Sequence, residues 1–159
     1  MKAILLFLTL ICFYASAQTT APAIVAYGNP ITLETAKKVM TAAEAFAISK
    51  HWTVVIAIVD NGGNLVILQK IDNTQIGSID LAIGKAKTAN NFKRPTKAIE
   101  DAVAGGGIGL RMLAAPGVVP LEGGEPIYVD GKIIGAIGVS GMQATQDAEV
   151  SRAGVAALK

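Results

Sequence analysis

The segment Thr53 to Asp60 (TVVIAIVD) carries an apolar side chain at every position from Val54 to Val59. Successive side chains of a strand point to opposite faces, so an unbroken apolar run of this length predicts a strand covered on both sides. The fold must therefore place helices or other subunits over both faces of a sheet. Asn61-Gly62-Gly63 turns the chain, and Asn64 to Ile71 (NLVILQKI) returns as the second strand of a hairpin.

The helices that can cover this sheet are legible on either side of the hairpin. Upstream, Thr32 is placed to act as an N-cap, with Glu34 in the first turn and Leu33, Ala36, Met40, Ala43 and Ala47 on one face, which predicts a helix running to about Ser49. Downstream, Ile79, Ala82, Ile83, Ala86 and Ala89 line one face of a second helix from Ser78 to about Asn91, and Pro95 ends it. Thr96 caps a short helix through Val103, after which Gly105-Gly106-Gly107 and Gly109 break regularity. Short strands are expected at Val118 to Leu121 and Pro126 to Val129. Asp130-Gly131 then forms a hairpin turn into Lys132 to Ser140, and a last amphipathic helix starts near Asp147. This order does not alternate as βαβ, so the fold class is α+β, an antiparallel sheet with helices packed on it.

Met1 and Lys2 precede an apolar run from Ala3 to Tyr14, and Ala15-Ser16-Ala17 supplies the small-x-small pattern of signal-peptide cleavage. The run is shorter than the roughly 20 residues a membrane span requires. We therefore expect a signal peptide over 1–17, an extended lead-in over 18–30, a single domain over 31–159, and secretion or periplasmic release of a chain starting at Gln18. The one cysteine, Cys12, leaves with the leader. A single histidine and no mature cysteine argue against zinc clusters, disulfides and Cys/His or Ser/His/Asp catalysis, and no structural metal is expected. A net charge of +2 without basic blocks argues against nucleic acid as a partner.

Three glycine-rich stretches carry the remaining signal. Gly105 to Gly109 lacks the strand and the GK[ST] ending of a phosphate loop and reads as a flexible loop. Glu122-Gly123-Gly124-Glu125-Pro126 is either a ligand-orienting turn or a plain one. Gly135, Gly138 and Gly141 within IIGAIGVSG signal that a helix, a subunit or a ligand approaches that strand closely. Lys85 and Thr88 share a helix face, as ligand-carboxylate partners or as a solvated edge. His51, beside Trp52, is either a helix C-terminal cap or a metal ligand. If these elements converge, Lys85, Thr88, Glu125 and Asp147 rim one concavity floored by Gly135 and Gly138, with the Gly123 and Gly124 amides and Lys85 receiving an anionic ligand.

Asp60-Asn61-Gly62-Gly63-Asn64-Leu65, Lys85-Ala86-Lys87-Thr88-Ala89, Gly123-Gly124-Glu125-Pro126-Ile127, the run IGAIGVSG from Ile134 to Gly141, and Gln146-Asp147 occur in the order and spacing of the GlcG/HbpS family. The chain resembles that family over nearly all of Ile31 to Leu158, and also the C-terminal domain of PduO-type corrinoid adenosyltransferases. The resemblance implies a profilin-like fold with a central antiparallel sheet of about five strands flanked by helices, assembly into homo-oligomers, and haem as cofactor. For exported members it further implies haem degradation or a role beside a membrane sensor. The ligand-site reading, drawn from which groups can converge, comprises Lys85, Thr88, Gly123, Gly124, Glu125, Pro126 and Asp147.

A porphyrin asks for an apolar slot, partners for two propionates and usually an axial donor. Lys85, Lys87, Arg94 and Arg111 are available to propionates, and His51, Met40, Met112, Met142, Tyr27, Tyr128 and Thr88 are the available donors, with His51 the candidate axial ligand. Two other functions compete with haem binding. One is a small-molecule isomerase, tautomerase or hydrolase using Lys85, Glu125 and Asp147; the other is an envelope protein-interaction module.

Overall fold

A computed structural model describes residues 24–158; the expected signal peptide and residues 18–23 of the lead-in lie outside the described residues. The apolar run becomes strand β1 (Val55–Asp60), which pairs with β2 (Leu65–Lys70) on one side and β4 (Lys132–Ser140) on the other. β3 (Gly124–Val129) completes an antiparallel sheet of order β2-β1-β4-β3. The alternation along β1 divides the core in two. Ile56 and Ile58 face α1 (Leu33–Ser49) and α4 (Ala144–Ala156), together with Val39, Met40, Ala43, Val139 and Val150. Val55, Ala57 and Val59 face α2 (Ser78–Phe92), whose Ala82, Ala86 and Ala89 are fully buried. The prediction that both faces of this strand are covered thus holds within one chain.

The first two helices match their expected bounds. The Thr32 hydroxyl accepts from the Thr35 amide at 3.2 Å and starts α1. The expected face of α1 needs one change: Leu33 is exposed and Val39 takes its place in the core. α4 begins at Ala144, three residues before the expected Asp147, because Gln143 and Gln146 form a capping box.

The sheet has four strands, not about five. The expected strand at Val118 to Leu121 does not form, since the Val119 amide donates to the Thr88 hydroxyl at 2.9 Å instead of to a neighbouring strand. The sequence Gly124-Glu125, expected in a turn, opens β3, with Gly124 paired to Gly138. α3 (Thr96–Ala104) follows Pro95, and the glycine-rich stretch after it leads into a 3-10 helix, Gly107–Ala114. The lead-in lies along β4 where β1 no longer pairs: the Gly28 amide donates to the Ile133 carbonyl and the Ile31 amide to the Ile134 carbonyl, both at 2.8 Å. No helix among the described residues is long and apolar enough to cross a membrane.

Candidate functional site

α2 lies directly on the glycine-rich strand. A Cβ at Gly138 would overlap the Ala82 carbonyl and the Ala86 amide, so only glycine lets the helix approach this closely. Gly138 therefore seats α2 instead of flooring a ligand concavity, and Gly135 lies under the Val59 carbonyl. This close seat carries Lys85 to the end of β4. Its Nζ donates to the Val139 carbonyl at 2.9 Å and to Asp147 Oδ2 at 2.8 Å. Asp147, in the first turn of α4, accepts the Met142 amide on Oδ1 at 3.0 Å. Each side chain of the pair is 3% exposed. The ion pair joins the helix layer on one face of the sheet to the layer on the other.

Gly123 closes over this pair with φ +124°, where a side chain is strained. A Cβ there would stand 3.0 Å from Lys85 Nζ and 2.9 Å from Asp147 Cβ. The Gly123 carbonyl accepts the Val139 amide at 3.0 Å. Next to it, the Gly124 amide donates to Thr96 Oγ1 at 2.9 Å. Thr96, expected as a helix cap, is the first residue of α3 and caps the start of β3 instead. Burial pushes the Asp147 carboxyl above its ordinary range, against the opposing pull of Lys85 and the Met142 amide. Desolvation therefore outweighs the ion-pair attraction.

The structure brings Lys85, Gly123, Gly124 and Asp147 together and turns their polar groups inward: Lys85 and Asp147 pair with each other, the Gly123 carbonyl accepts the Val139 amide and the Gly124 amide donates to Thr96. Lys85 and Thr88 are buried, so neither belongs to a solvated helix edge. Thr88 holds the loop at Gly117 and Val119. Glu125 and Pro126 open elsewhere, into a groove of about 310 Å³ lined also by Tyr128, Arg152 and Val155. Lys85, Glu125 and Asp147 accordingly share no accessible pocket of the kind the enzyme alternative requires. In the groove, Arg152 stands 3.7 Å from Glu125 and 3.5 Å from Glu122. Burial raises the Glu125 carboxyl, Arg152 lowers it and Glu122 raises it further; burial, with help from Glu125, also raises the Tyr128 phenol. Arg152 escaped the sequence reading because its partners lie 27 and 30 residues away; its one local signal is that it is the sole cation of α4.

His51 is exposed and has φ +58°. Its amide donates to the Ile48 carbonyl and the Trp52 amide to the Ala47 carbonyl, both at 3.0 Å. It is therefore the left-handed residue of a Schellman motif ending α1, which is the capping reading of this position.

A different surface stands out beside α3. The 3-10 helix Gly107–Ala114 buries none of its residues, leaving Ile108 78% and Leu113 62% exposed. A cavity of about 170 Å³ between it, α3 and the end of α2 is lined by Phe92, Arg94, Ile99, Arg111 and Met112, among others. Neither arginine forms an ion pair among the described residues. No group of three or more His, Cys, Asp or Glu side chains among those residues is arranged to hold a metal ion.

The description "Haem degrading protein HbpS-like" matches residues 31–156. The chain belongs to the HbpS-like family. It is 38% identical to Protein GlcG of Escherichia coli K12 over 110 residues, 69% of this chain and 81% of GlcG. A crystal structure of a double mutant of Streptomyces reticuli HbpS superposes on this HbpS-like chain with a TM-score of 0.77 at 31% identity, covering 91% of this chain and 99% of that one. The crystal structure of a PduOC:heme complex does so with a TM-score of 0.74 at 29% identity, covering 82% and 96% respectively. The expected family and its antiparallel sheet flanked by helices are both found, with one strand fewer.

Proposed function

We propose that this HbpS-like chain is an exported haem-binding protein. The observation that carries the reading is the likeness, over 82% of this chain and 96% of that one, to a solved PduOC in complex with haem. The chain's own surface supports it. An apolar 3-10 helix with no buried residue, two arginines without a carboxylate partner among the described residues and a thioether at one cavity are the kinds of group a porphyrin requires. Bound haem would supply redox-active iron, and haem degradation or signalling through a membrane sensor belong to the same proposal. So does homo-oligomerisation, since β2 and β3 leave two sheet edges, with Leu65 and Val129 exposed on them.

Titration of the protein with hemin tests the reading. A Soret band that saturates at a fixed stoichiometry is expected; absorbance that rises linearly without an end point would overturn it. Light scattering at micromolar concentration should give a mass above that of one chain.

A further inference from the structure

We propose that the ridge formed by the 3-10 helix docks the protein on the face of an anionic lipid bilayer. The proposal goes beyond haem binding and does not depend on it.

From Ala102 to Leu121 the chain runs through 20 residues with one polar side chain, Arg111, and otherwise only Gly, Pro, Ala, Val, Ile, Leu and Met. That composition belongs in a core, yet none of the 20 residues is buried. Apolar surface left in water on this scale marks a contact with another molecule or a membrane. The stretch is held in place at both ends. Gly109 lies against the Ala102 carbonyl of α3, while the Val119 amide donates to Thr88 and the Val119 side chain packs over Gly84 of α2.

With three residues per turn, the 3-10 helix has three faces. Gly109 and Met112 lie on the face toward α3. Leu110 and Leu113 form the second, Ile108, Arg111 and Ala114 the third, and these five residues are all exposed. The apolar groups therefore stand on a ridge. The hollow beside it, about 170 Å³, is below the roughly 300–1,000 Å³ of a small-molecule pocket. A ridge suits a broad, yielding apolar phase, and its helix of eight residues enters that phase without crossing it, since a span requires roughly 20.

Charge selects the occupant. Arg111 on the ridge and Arg94 in the wall of the hollow form no ion pair among the described residues. The carboxylates of α3 are engaged, Asp101 by Lys97 and Glu100 by the Glu122 amide. A second copy docked through the same surface across a twofold axis sets Arg111 against apolar side chains or its own counterpart, with no carboxylate to meet it. Lipid phosphates meet both guanidiniums, while the hydrocarbon beneath receives Ile108, Leu110 and Leu113.

Co-sedimentation with unilamellar vesicles tests the proposal, using phosphatidylglycerol and phosphatidylcholine in equal parts against phosphatidylcholine alone. The chain tested starts at Gln18, so that the apolar run from Ala3 to Tyr14 does not itself seek lipid; every helix and strand of the fold lies downstream. The wild type should bind the anionic vesicles, and salt raised to about 0.5 M should weaken that binding. Ile108→Ser combined with Leu113→Ser should weaken it at least about tenfold. Arg111→Ser should weaken it about fivefold on anionic vesicles and leave neutral ones unaffected. Leu65→Ser, on the edge strand β2, should change nothing. All four positions are exposed, and circular dichroism checks that each variant is folded. A wild type that stays in the supernatant, or binding that survives the Ile108 and Leu113 changes, would overturn the proposal. Wild type that ignores vesicles, with a mass that these two changes lower in light scattering, would make the ridge a contact between copies and equally overturn it. So would loss of saturable hemin binding in that variant with vesicle binding intact, which gives the ridge to the porphyrin. The vesicle assay contains no hemin, so its failure leaves the haem-binding reading standing.

Discussion

Replacing Lys85 by Met tests the energetics of the buried pair. The substitution preserves length and apolar bulk but leaves the 3%-exposed Asp147 carboxylate without its cation and the Val139 carbonyl without its Nζ donor. Breaking one side of a buried ion pair costs about 3–5 kcal/mol. Against a domain stability of roughly 5–15 kcal/mol, the melting temperature should fall on the order of 10 °C. Urea unfolding followed through Trp52, the chain's one tryptophan, reads the loss directly. Asp147→Asn alone should cost a similar amount, because the ammonium is then unpaired. Lys85→Met with Asp147→Asn should cost clearly less than the two singles added together, since no charge remains buried while the amide oxygen still accepts from Met142. The pH dependence has a defined sign. The Asp147 carboxyl is raised in the folded state by burial, so its contribution to stability is full below the unfolded value of about 3.9 and is lost as pH rises through the raised folded value. Without Lys85 that loss should extend to higher pH. A Lys85→Met cost below about 1 kcal/mol, as for an exposed pair, or strict additivity in the double variant would refute the reasoning.

Three further outcomes are expected. Gly123→Ala should destabilise by about 1–3 kcal/mol, because φ +124° strains any side chain and the new Cβ would stand 2.8 Å from the Val139 carbonyl; an unchanged urea midpoint would contradict this. Arg152→Ala should raise the Glu125 pKa further, since burial then acts without the opposing guanidinium, and an NMR titration of the Glu125 side chain that does not move upward would count against the groove electrostatics. N-terminal sequencing of the exported protein should begin at Gln18, and an intact Met1 terminus in the soluble envelope fraction would exclude cleavage.

Periodicity and capping chemistry are local, and the elements they encode were legible: the two-sided strand at Val55–Asp60, the hairpin, and α1 and α2. The failures lie where a distant partner decides. The backbone at Val119 could have joined a sheet, but Thr88, 31 residues earlier, takes its amide. Thr96 carries an N-cap residue type, yet its hydroxyl serves the Gly124 amide across 28 residues. Gly124-Glu125 reads as a turn until Gly138 is found opposite it.

The same division holds for the candidate site. Sequence by itself determined the family, the antiparallel sheet with a central strand covered on both faces, and the kinds of group available for a ligand, because these follow from side-chain period and motif spacing. That helices of the same chain do the covering was decided by the tertiary structure. Sequence also singled out Lys85, Gly123, Gly124 and Asp147, which do converge. Only the tertiary structure decided that their polar groups are satisfied inside the fold, Lys85 by Asp147 and the two glycines by Val139 and Thr96. An ammonium on α2 and a carboxylate on α4, 62 residues apart, become a desolvated pair because Gly138 lets the helix descend onto the strand. Tertiary structure likewise left Arg94 and Arg111 beside Met112 at one cavity, with no carboxylate partner for either arginine among the described residues. A sequence lists charges and donors; which of them are neutralised within the fold depends on long-range contacts that no local pattern encodes.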